Sequence, residues 1–153
     1  MKLLSVLSVL FASIKHIQAE LASDGKCRIL AMRGGGSHGA YEAGAVRAIF
    51  DNLPEKEIQY DYYSGVSIGA VNASILALYP KGEEQEAIAD LETLYVGRKT
   101  EDLFVLKKNP IIDAFRTKNI LDNSGVKGLI EDFFRDKPFQ RNLSIMSTDI
   151  ISG

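Results

Sequence analysis

The apolar positions of this chain change their rhythm several times, and each change marks an element. Cys27 to Met32 ("CRILAM") is a short apolar run closed by three glycines, which predicts a buried strand. From Ala40 to Leu53 the residues Val46, Ile49, Phe50 and Leu53 recur at helical spacing, and Pro54 closes that helix. Ile58 to Gly65 ("IQYDYYSG") is rich in aromatic and β-favouring types and predicts a second strand. "IGAVNASILALY" reads as a helix lined with small residues and ended by Pro80 and Gly82. Glu83 to Val96 places Ala87, Ile88, Leu91, Leu94 and Tyr95 on one side of a further helix. "RKTEDLFVLKKNP" is a polar, mixed connector. Asp122, Asn123 and Ser124 then supply cap chemistry for "VKGLIEDFF", a helix with Leu129, Ile130, Phe133 and Phe134 turned inward. "NLSIMSTDI" alternates Leu143, Ile145 and Ser147 against Ser144, Met146 and Thr148, which predicts a third strand. Strands alternating with helices imply an α/β chain with a largely parallel sheet.

The amino terminus follows another pattern. "MKLLSVLSVLFASIKHIQAE" has one early lysine, an uncharged apolar stretch from Leu3 to Ile14, and a short polar step ending in Ala19. This is the layout of a secretory signal peptide, residues 1–19, and it predicts a secreted or secretory-pathway protein. The apolar run is short for a permanent membrane anchor. The rest of the composition excludes more than it identifies. A chain of 153 residues is one domain by length, and 46% apolar with 25% charged content is ordinary for a globular protein. The net charge of −2 with no basic block argues against nucleic acid as a partner. Cys27 is the single cysteine, so neither an intrachain disulfide nor a cysteine-based metal site is possible, and it reads as a small buried hydrophobe.

Two glycine motifs carry the chemistry. In "RGGGSHGAYEAG", Gly34, Gly36 and Gly39 have G-x-G-x-x-G spacing between a strand and a helix. The commonest meaning is a dinucleotide fingerprint, which also needs an acidic residue at the carboxyl end of the second strand. That position holds "SGVS", and Asp61 lies at the opposite end, so the nucleotide reading loses its support. The loop still gathers bare backbone N–H groups beside a helix N-terminus, a cradle suited to concentrated negative charge such as an oxyanion. Gly65-Val66-Ser67-Ile68-Gly69 fits G-x-S-x-G, again between a strand and a helix, with Gly65 and Gly69 making room for a nucleophile elbow. Ser67 needs a base to attack efficiently. The two histidines are His16, in the leader, and His38, in the glycine loop, so no histidine follows the serine. Either His38 acts as base in an unusual order, or a carboxylate serves.

Together, "RGGGSHGAYEAG", "YDYYSGVSIGAVNAS" and "SIMSTDIISG" resemble the patatin-like phospholipase family, from about Cys27 to the last residue. The resemblance implies a three-layer α/β/α fold with a largely parallel sheet and a Ser–Asp dyad. It implies hydrolysis of acyl esters, with phospholipid or acylglycerol as substrate and a lipid surface as a transient partner, and with no cofactor or metal. Ser67 matches the nucleophile, and Gly34, Gly35 and Gly36 match the oxyanion loop. Position 38, often Arg or Lys in relatives, is His. The family's aspartate belongs to an Asp-Gly motif beyond the "TDIISG" segment. The sole Asp-Gly here, Asp24-Gly25, precedes the first strand, and Asp149 reads as structural. The domain is therefore expected to be its C-terminally incomplete N-terminal portion, residues 27–153. An alternative is a catalytically impaired short form that binds lipid or a partner.

Overall fold

A computed structural model describes residues 24–98, 105–106, 121–122 and 124–146. The leader at 1–19 lies outside the described residues, as does Asp149. Three strands, β1 (Ile29–Met32), β2 (Tyr62–Val66) and β5 (Asn142–Met146), form an all-parallel sheet in the order β1-β2-β5. The intervening helices are α1 (Gly39–Asn52), α2 (Glu55–Ile58), α3 (Ile68–Leu76), α4 (Glu84–Thr93) and α5 (Ser124–Phe134). The predicted parallel α/β architecture is thus the observed one. β2 is central, with Ile29, Tyr62 and Asn142 in register at its start and Met32, Gly65 and Ile145 near its end.

The pleat sends Leu30, Tyr63 and Leu143 to one face, where α3 packs across all three strands. α1 and α4 pack on α3 and on each other. Tyr63, Ile75, Leu76, Ile88 and Leu91 fill this interface and are almost wholly buried, each side chain contributing about 1.5–3 kcal/mol. On the other face Ile29 is 60% and Met146 is 69% exposed.

Two ion pairs, one buried and one part-buried, tie the amino ends of the strands to the turn before α4 and its first residue. Arg141 pairs with Glu84, and its guanidinium also donates to the Tyr79 carbonyl at 3.0 Å and to the Tyr60 carbonyl. Asp61 accepts from Lys81 and, at 2.7 Å, from the Arg28 amide. Buried charges persist at low cost only when satisfied in this way. Burial pushes the Asp61 carboxyl upward, but Lys81 and the Arg28 amide outweigh it and hold the group below its ordinary value.

The structure corrects several local expectations. Cys27 is exposed, because it precedes β1, whose pairing with β2 begins at Ile29. Ile58 ends the one-turn helix α2, for which Pro54 supplies the entry, and β2 starts only at Tyr62. Within the polar connector, Val105–Leu106 (β3) pairs antiparallel with Leu121–Asp122 (β4), so Asp122 belongs to a strand and α5 begins at Ser124.

Candidate active site

Neighbouring parallel strands end side by side, so the segments that follow β1 and β2 emerge together. Met32, the last residue of β1, is in register with Gly65, two residues before Ser67. Ser67 bridges β2 and α3 with φ 55° and ψ −127°. A non-glycine residue held at positive φ costs about 1–3 kcal/mol and persists only where its surroundings enforce it. Here the enforcement is steric and comes from main chain. A Cβ on Gly65 would fall 2.6 Å from the Ala70 Cα, and one on Gly69 would fall 2.5 Å from the Arg33 carbonyl oxygen. Both glycines therefore let backbone approach backbone, as the G-x-S-x-G spacing predicts.

Gly34 completes the contact from the β1 side. A Cβ there would meet the Ser67 Cβ at 3.0 Å, the Val66 carbonyl at 3.2 Å and the Ser67 Oγ at 3.7 Å. The chain then passes through Gly35 into a 3-10 turn, Gly36–His38, and on into α1 at Gly39. Gly36 has φ 57°, and the space where a Cβ would project is open. Gly34 and Ser67, one from each sequence motif, are thus brought together at one sheet edge. Ser67 is exposed, and its side chain makes no capping hydrogen bond to α3.

His38 folds back onto its own loop. Its amide donates to the Gly35 carbonyl at 3.2 Å, and its Nδ1 lies 2.9 Å from the same oxygen. A carbonyl only accepts, so Nδ1 carries the proton in this contact. The imidazole thereby closes the 3-10 turn on itself. Five of the described aspartates are held by other partners. Asp24 pairs with Arg28 at 2.7 Å, Asp51 with Arg47 at 3.6 Å and Asp132 with Arg135 at 3.1 Å. Asp61 is held by Lys81 and Asp90 by the Tyr79 hydroxyl. Asp102 and Asp113 lie outside the described residues.

Two hollows are lined by residues near the serine in the chain or in contact with it. On the β1 side, a cavity of about 330 Å³ is lined by Arg33, Gly34, His38, Tyr41, Glu42 and Ala45. On the β5 side, an apolar trough of about 290 Å³ runs between α3 and α5, lined by Ala70, Val71, Ile130, Phe134, Phe139 and Ile145, with Ser74 beside them. Ala70 and Val71 belong to the first turn of α3, and Ile145 is the register partner of Gly65. Among the described residues no group of His, Cys, Asp and Glu is placed to hold a metal ion, and no helix is long and apolar enough to cross a membrane.

Behind the loop lies a polar chain that sequence reading missed. Asn72 on α3 is fully buried, and its Nδ2 donates to the Glu42 carboxylate at 2.9 Å and to the Gly39 carbonyl at 3.2 Å. Its Oδ1 accepts from the Tyr95 hydroxyl, and the second Glu42 oxygen accepts from the Arg33 amide at 2.9 Å. The available signal was a lone amide inside an otherwise apolar, small-residue helix.

A scan against protein-family models matches residues 30–149 to the patatin-like phospholipase model. Comparison with curated proteins and with solved structures returned no match. The matched span runs from β1, through the glycine loop and the serine elbow, past the end of β5. On that coverage the chain belongs to the patatin-like phospholipase family, a family of lipid acyl hydrolases.

Proposed function

We propose that this protein hydrolyses acyl esters of phospholipids or acylglycerols, with Ser67 as nucleophile and the Gly34–Gly36 loop as oxyanion cradle. The observation that carries the proposal is the strained Ser67, held at positive φ at the end of the central strand and packed against Gly34. Attack of Oγ on the ester carbonyl would form a tetrahedral adduct. Its oxyanion would fall to the N–H groups of Gly35 and Gly36, beside the N-terminus of α1. One donor of this kind is worth about 3–4 kcal/mol in the transition state. Collapse would release the alcohol, and water would then cleave the acyl-serine.

The two hollows fit the two ends of such a substrate. The apolar trough begins one turn from Ser67 and suits an acyl chain, whereas the cavity beside Arg33, His38 and Glu42 suits a polar head group or leaving alcohol. No hydrogen bond joins Ser67 to a carboxylate among the described residues. We assign the base to the aspartate of the Ser–Asp dyad that the family resemblance implies. Residues 1–19 are proposed to direct the protein into the secretory pathway.

Fatty-acid release from phosphatidylcholine vesicles and triacylglycerol emulsions tests the reading. Release should depend wholly on Ser67, and equal release by Ser67→Ala would overturn it. One observation favours a second reading: Ser67 has no hydrogen-bonding base among the described residues. Without proton transfer the rate falls about 100- to 10,000-fold. Stable lipid binding with no Ser67-dependent release would identify a short form that binds without turnover.

A further inference from the structure

The buried chain Tyr95–Asn72–Glu42 has a polar cost that packing does not explain. Asn72 sits inside α3 among Ala70, Val71, Ala73 and Ile75, where an aliphatic side chain would favour the helix and the core. Burying an amide is tolerable only when all its groups are paired. Here they are. Both Nδ2 protons and Oδ1 are used, and the orientation is dictated by chemistry, because the Gly39 carbonyl and the Glu42 carboxylate can only accept.

That amide reaches one end of the glycine loop directly, at the Gly39 carbonyl, and the other end through Glu42. Arg33, whose amide donates to Glu42, is the residue before Gly34, and Gly39 is the residue after His38. The helix that holds them starts directly after Ser67. Tyr95, just beyond α4, closes the chain from behind. Its hydroxyl would lie 2.6 Å from a Cβ on Gly39, and a Cβ there would also strike Ile68, the neighbour of Ser67. Burial first, with a smaller contribution from Glu42, pushes the Tyr95 phenol up to about 12 against the pull of Asn72, so it remains a donor at any working pH.

We propose that Glu42, Asn72 and Tyr95 are positioning residues that clamp both ends of the oxyanion loop to the helix carrying the nucleophile, and so set the gap between Ser67 and the loop amides. The proposal rests on the reading of Ser67 as nucleophile. It adds that the geometry of the cradle is set by a carboxylate–amide–phenol chain that touches no substrate at its Asn72 and Tyr95 members. A misplacement of about 1 Å at such a site costs about 100-fold in rate.

The test uses the full chain and pairs two readouts. The first is the rate of Ser67 modification by a fluorophosphonate, whose phosphoryl oxygen occupies the oxyanion position, expressed per folded molecule. The second is amide hydrogen exchange over residues 33–39. Glu42→Gln leaves one acceptor for two donors, the Asn72 amide and the Arg33 N–H, and Asn72→Asp sets two carboxylates against each other. Each should slow modification about 10- to 100-fold and raise exchange in 33–39, while β2 and α4 stay protected. The double variant restores one donor facing one acceptor and should recover most of both losses, though the Gly39 carbonyl stays without its partner. Unchanged modification rates in the single variants, exchange that rises equally across β2 and α4, or a double variant no better than the singles would each overturn the clamp. Wild-type protein unmodified at Ser67 would instead refute the catalytic reading, and the exchange data would still decide whether the clamp exists.

Discussion

Gly34 and Ser67 touch across the carboxyl ends of two neighbouring parallel strands, so closely that a methyl group at position 34 would lie 3.0 Å from the serine Cβ. The contact makes the loop after β1 and the elbow after β2 a single unit. It also means that the space around Oγ is shaped by the absence of a side chain.

Gly34→Ala is therefore expected to damage the site more than the fold. The methyl group must displace Ser67 or the Val66 carbonyl by a few tenths of an ångström, and either shift misaligns Oγ with the loop amides. Modification of Ser67 by a fluorophosphonate should slow about 100-fold, with the melting temperature lowered by only a few degrees. Equal rates for wild type and variant would show that the two loops do not act together.

Gly69→Ala should behave in the opposite manner. Its Cβ would meet the Arg33 and Met32 carbonyl oxygens at 2.5 and 2.6 Å, and main chain cannot rotate away as a side chain can. A loss of about 3 kcal/mol or more is expected, at the upper end of overpacking costs, and urea unfolding would measure it. A variant of wild-type stability would mean that β1 and α3 are not in backbone contact.

Asp61 gives the protein an acid-sensitive anchor far from the serine. Its folded carboxyl lies below the ordinary value because Lys81 and the Arg28 amide together outweigh the burial that raises it. The stabilisation is accordingly complete above the unfolded value of about 3.9 and is lost as pH falls through the lower folded value. The urea midpoint of wild type should exceed that of Asp61→Asn by a constant amount from about pH 5 to 7 and converge with it in stronger acid. A gap that widens on acidification would contradict the pairing.

These anchors show which parts of the molecule a linear reading reaches. The strands and helices around the site announce themselves by a change of period, and the glycine loop and G-x-S-x-G turn by steric demands that only glycine meets. Cys27 misled because an apolar run does not say where pairing begins, and β1 pairs from Ile29 onward. The β3–β4 ladder, two residues long in each strand, is too short to have a period at all. The clamp was invisible for another reason. Asn72 meets Glu42 across 30 residues and Tyr95 across 23, so its partners become neighbours only after α1, α3 and α4 have packed. Tyr95 even fell in phase with the apolar face of its helix, where its hydroxyl goes unnoticed.

The most direct test of the central claim is where a fluorophosphonate lands on the full chain. Peptide mass spectrometry should find a single adduct on Ser67, absent from Ser67→Ala. An adduct on another residue, or equal labelling of the Ser67→Ala protein, would contradict the account.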